Sequence, residues 1–260
     1  MRCYNLSKLL LQTLFLSLAH VSTQGARPFP IRSNTRAQQA LVDLRGGGGL
    51  DTTKVITKLG LAVGITSALS AKTVLDKSGI ENVDPLNLLT TRRIGESILQ
   101  FSIVAYFLLF QDTSVYTAVG ISCIPVVVEL YKTLFDGTHK ALGFSGVGQA
   151  ICLVINAIFG FLFLNKSHQL SKDTLLKIHS SFWISNGVLM GCFPKFACKL
   201  WGNMDVTDVS VIEYFISLWG FSLLSIGTLS GCLATGMTTS KALGLGALPF
   251  VSRFALGKIV

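Results

Sequence analysis

Charge is what this chain has least of. Asp, Glu, Lys and Arg make up 13% of its 260 residues, roughly half the share of a soluble domain. Acids are the scarcer sign, with 13 Asp and Glu against 22 Lys and Arg. Only four histidines occur, which leaves little material for a metal cluster. The six cysteines, Cys3, Cys123, Cys152, Cys192, Cys198 and Cys232, match neither a zinc site nor a disulfide framework. They read as small apolar residues, and no bridge is expected. A Walker loop, His-x-x-x-His, Cys-x-x-Cys and Gly-x-Ser-x-Gly are all missing, so no cofactor is expected and soluble-type catalysis has no visible constellation.

What is present is apolar. Hydrophobic residues make up 50% of the chain and mean hydropathy is +0.58. They come in long runs split by short polar breaks, which points to lipid as the main solvent. No stretch outside those runs is long enough to build a water-facing core. The net charge of +9 is scattered over loops and leader, without the interleaved aromatics that stack on bases. A nucleic-acid partner is therefore not expected; membrane topology and anionic headgroups account for the excess. The fold class expected is all-α: a polytopic transmembrane bundle of about six spans, five to seven, with no soluble domain.

The chain organises itself around residues 94–135. Two apolar segments, 98–110 and 115–128, flank Gln111, Asp112, Thr113 and Ser114. A connector that short forces an antiparallel membrane hairpin. Before it, residues 1–25 look like a secretory signal peptide, with Arg2 and Lys8 preceding an apolar core; at about 11 residues that core is too short to span. Residues 26–54 carry Arg27, Arg32, Arg36, Arg45 and Lys54 but only two acids, with glycines at 46–49. Two readings stay open for them: an organelle-directing second leader, as in plastid import, or a basic, glycine-rich linker. Residues 55–260 form the multi-pass domain. Entry by the secretory pathway places it in an endomembrane, or in a plastid membrane through a bipartite leader.

Further spans are expected at about 55–75, 147–164, 175–193 and 211–234, with the 241–260 tail left open because Pro249 and Arg253 interrupt it. The 55–75 segment is limited by Lys58 and Lys72, which can snorkel to the headgroups, and an interfacial helix competes with a span there. Loops 76–93, 136–146 and 194–210 hold most of the loop lysines and arginines, while 111–114 and 165–174 hold only Lys166 and Lys172. The first set is expected on the cytosolic or stromal side. Asn165 opens a glycosylation sequon too close to the bilayer to be used. The pairs Gly60/Gly64, Gly187/Gly191 and Gly227/Gly231 have the four-residue spacing of close helix packing. Pro125 is expected to kink its span. Glycines at 143, 146 and 148 precede a helix, but follow another helix rather than a strand, so a phosphate loop lacks its context.

Five polar residues inside the spans are candidates for chemistry. Glu96 and Glu129 lie equally far from the 111–114 turn, about 25 Å at 1.5 Å per residue, near the far edge of the core. Equal depth suits a cation or proton site. The simpler reading is interfacial ion pairing, Glu96 with Arg92 or Arg93 and Glu129 with Lys132, all at helical spacing. Asn156 and Asn186 match in depth near the bilayer centre, where interhelical hydrogen bonding is the commoner use. His179, Trp183, Asn186 and Met190 share one helix face, and Gln149 and Asn156 share another. If those faces meet they form a polar seam, with His179 more simply structural. The expected partners are the lipid bilayer and either a small solute or ion on the seam, or a membrane protein if the chain is a scaffold or assembly factor. A lipid-acting enzyme stands third, because no nucleophile can be named.

Overall fold

The computed structural model describes residues 36–77, 85–141, 145–165, 171–202 and 210–256. The leader read at residues 1–25 lies outside them. Among the described residues every regular element is a helix. In chain order these are α1 (Arg36–Leu69), α2 (Ala71–Lys77), α3 (Pro85–Phe110), α4 (Val115–Phe135), α5 (Thr138–Ala141), α6 (Gly146–Leu164), α7 (Lys172–Cys192), α8 (Pro194–Gly202), α9 (Ser210–Ala234) and α10 (Thr239–Leu256). Four are long and apolar enough to cross a bilayer: most of α3 and α9, and all of α4 and α6. The count becomes five if the bent pair α1 and α2 is one broken span. The described residues are thus helical, with long apolar helices that fit a membrane.

The hairpin forms as its short connector requires. Asp112 takes the left-handed conformation, φ 46°, which a short polar side chain tolerates. Ser114 caps α4 by accepting from the Thr117 N–H at 3.2 Å. At the same end Tyr116 donates to Asp173 at 2.7 Å, so the first turns of α4 and α7 share one side of the bundle. Pro125 lies inside α4, which continues past it to Phe135.

The 55–75 segment is not one continuous helix. It breaks at Ser70, and the two halves meet at 104°. The turn puts Ala71 and Leu75 into the protein and leaves Lys72, Asp76 and Lys77 exposed, the division an interfacial turn makes. The tail resolves into α10, packed on α9. The helix α7 falls short of the apolarity of the others because Lys177, His179, Ser180, Ser181, Ser185 and Asn186 interrupt it.

Glycine sets the packing of α7 on α9. A Cβ on Gly187 would lie 2.6 Å from the Leu224 nitrogen, and one on Gly227 would lie 2.7 Å from the Ile184 nitrogen. Only bare backbone permits that approach. Gly60 and Gly64 do the same for α1 against Ser102 and Leu99 of α3. The helix α6 is inverted relative to a soluble one: Val147, Ile151, Val154, Ile158 and Phe161 face outward, while Gln149 and Asn156 are buried. Polar inside and apolar outside is the arrangement for lipid.

Candidate functional site

Four polar groups of α3 lie on one stripe. Arg93, Glu96, Ser97 and Gln100 stand at i, i+3, i+4 and i+7, and all four are buried. Arg93 is the hub. It donates to Glu96 at 2.9 Å, to Thr133 of α4 at 3.0 Å and to Gln149 of α6 at 3.2 Å. One guanidinium fork thereby ties three helices at one level. Thr133 passes the contact on, since its carbonyl accepts from His139 Nδ1 at 3.0 Å. The Arg93–Glu96 pair is 3% and 5% exposed, an ion pair inside the bundle rather than at its edge.

Beside this clamp lies a cavity of about 70 Å³. Glu96, Gln100 and Asn156 contribute to its wall, with Trp183, Asn186 and Met190 of α7 opposite. Of the two faces singled out in the sequence, Gln149 and Asn156 of one and Trp183, Asn186 and Met190 of the other line it together, while His179 of the second face does not. Three lining side chains hold buried polar atoms with no hydrogen-bond partner among the protein's own groups: Glu96 Oε1, Gln100 Nε2 and Asn156 Oδ1. Arg93 Nε is a fourth. Asn156 donates its Nδ2 to Cys152 O of its own helix at 2.8 Å, and Asn186 likewise to Phe182 O at 2.8 Å. Each amide nitrogen therefore has one of its two protons bonded within its own helix. Asn156 brings its free oxygen to the cavity wall.

The other two candidates sit elsewhere. Glu129 faces Arg92 of α3 at 3.6 Å, so its basic partner comes from the neighbouring helix and not from Lys132. Sequence spacing finds partners on one helix only; the tight hairpin supplied the closer one. His179 is 1% exposed and outside the cavity. The Trp183 indole N–H donates to His179 Nε2 at 2.8 Å. Nδ1 therefore carries the proton and donates to Ser230 at 2.9 Å. Phe159 and Phe163 meet the neutral ring edge-on. His179 fastens α7 to α9.

Gln100 is a lining residue that the sequence reading passed over, and Arg93 entered that reading only as an ion-pair partner of Glu96. The four-residue stripe on α3 was the signal that could have found them. Among the described residues no group of three His, Cys, Asp or Glu could hold a metal. No family model matches the chain, and neither does any curated protein or solved structure.

Proposed function

We propose that this chain is a multi-pass integral membrane protein that binds a small solute or ion in the cavity beside Arg93 and moves it between its helices. In this reading α7 and the α1–α2 pair cross the bilayer with the four apolar helices, giving six spans. The leader at 1–25 would bring the chain into the endomembrane system, and residues 26–54 would carry it on if the destination is a plastid.

One observation carries the reading. Glu96, Gln100 and Asn156 each leave a buried polar atom unpaired beside the same cavity. Such an atom costs about 1–3 kcal/mol in a purely structural bundle, and a guest that bonds it removes the cost.

The test is flux through the full chain reconstituted in liposomes, compared with an Asn156→Leu variant. Transport requires the variant to lose flux while its folded yield in detergent is kept. If flux and folded yield fall together, Asn156 is structural and the reading fails. A stoichiometric protein partner retained in mild detergent, with no flux from the wild type, would establish the scaffold instead.

A further inference from the structure

Resting on the proposed transport reading, we infer that the solute is small, uncharged and hydrogen-bonding, and that it enters along the outward face of α7. The free atoms around the cavity decide the charge. Glu96 Oε1 and Asn156 Oδ1 accept; Gln100 Nε2 and Arg93 Nε donate. The one acid and the one base of the wall are already paired at 2.9 Å, so the wall holds no net charge for an ion. A dehydrated cation would find two free acceptors, and the Arg93 charge opposes it; a buried arginine is a device that excludes cations. Anions meet Glu96. Two donors and two acceptors suit a molecule that offers both, such as water, urea or a small polyol. The volume sets the size. At about 70 Å³ against roughly 10–15 Å³ per water-sized probe, the site holds a few heavy atoms.

The route follows from α7. Thr174, Lys177, Ser181 and Ser185 are exposed on its outer face and form a shallow, open polar strip, the groove of this route. Phe182 and Asn186 belong to both the groove and the cavity. The groove starts beside Asp173, at the end of the bundle that carries the 111–114 turn. It therefore leads from that end to the cavity, and Asn186 stands at the threshold. Beyond the cavity the Arg93 fork to Thr133 and Gln149 closes the opposite end. The whole is a vestibule, a pocket and a latch.

The experiment uses the full chain in liposomes, with water, urea and glycerol followed by light scattering and K⁺ and Cl⁻ by entrapped dyes. Expected is entry of at least one neutral probe faster than into protein-free vesicles, with ion flux unchanged. Ser185→Trp, which fills the exposed groove and leaves the core untouched, should return the neutral rate to that of protein-free vesicles. Ion flux without neutral flux would overturn the inference and leave the transport reading standing. Neutral flux unaffected by Ser185→Trp would overturn the route. No flux of any probe would remove both readings.

Discussion

Replacing Arg93 and Glu96 by methionine, singly and together, separates structural from functional meanings of the buried clamp. Either single change strands a charge inside the bundle and should cost about 3–5 kcal/mol. Arg93→Met also strips the donor from Gln149 Oε1, whereas Thr133 keeps its bond to the Glu129 carbonyl at 2.9 Å. The double variant removes both charges at once. Exchanging a whole buried pair for apolar residues is commonly neutral or stabilising by about 1–4 kcal/mol. Against that stands the orphaned Gln149 oxygen, at about 1–3 kcal/mol. The two roughly cancel, so the double variant should be as stable as the parent and several kcal/mol more stable than either single. Unfolding in mixed SDS and mild-detergent micelles, followed by circular dichroism, reads this directly. If the double variant instead loses the sum of the two singles, the groups are not coupled and the clamp as described is wrong. If it keeps its stability and loses flux, the pair serves transport rather than folding.

Three further outcomes follow from the packing and the loops. Gly220→Ala should destabilise by about 1–3 kcal/mol, because its Cβ would run into the Gly191 nitrogen, while Gly160→Ala, whose Cβ meets Cys123 at 3.4 Å, should be neutral or slightly stabilising; thermal unfolding in detergent that does not separate them would dismantle the α7–α9 seam. Burial pushes the Cys198 thiol up to about 11, leaving about one thiolate in a thousand at pH 8, so maleimide in detergent should label exposed Cys192 well before Cys198, as mass spectrometry would report. Asp136, between α4 and α5, is held below the usual carboxylate range by the Thr138 hydroxyl and by the Thr138 N–H at 2.9 Å. Its contribution is present above the ordinary value near pH ~4 and lost as pH falls through the depressed one. Asp136→Asn should flatten the acid limb of a Tm-against-pH curve, and an unchanged limb would count against the turn.

Periodicity told which residues share a helix face, and that was enough for much of the bundle. The stripes on α6 and α7 could be written down from Gln149, Asn156, Trp183, Asn186 and Met190, and the glycine pairs marked where backbones touch. What a one-dimensional pattern cannot carry is the partner across the gap. Glu129 had Lys132 one turn away, yet the hairpin brought Arg92 of α3 to it. His179 shared a stripe with Trp183, but the Trp183 indole N–H and Ser230 turned it toward α9 and away from the cavity. The break at Ser70 was equally invisible, since Ala71 and Leu75 look like the continuation of an apolar run until α3 offers them a surface.

Asn156 offers the sharpest opposition between folding and function. A side chain kept for packing should cost stability when replaced; one kept for a guest should be a burden in the empty protein. Its amide nitrogen already bonds to Cys152 O within α6, a bond that leucine does not need, because the helix ladder satisfies that carbonyl as well. Its oxygen is buried and unpaired. Leucine would therefore remove an unsatisfied acceptor worth about 1–3 kcal/mol and add apolar contact with Trp183 and Leu223 across the cavity. Asn156→Leu should unfold later than the parent in the same mixed micelles, by up to that amount, while flux through the cavity disappears. A variant that unfolds earlier would mean that a water or a neighbour satisfies the oxygen in the resting protein, and that the cavity is already part of the fold.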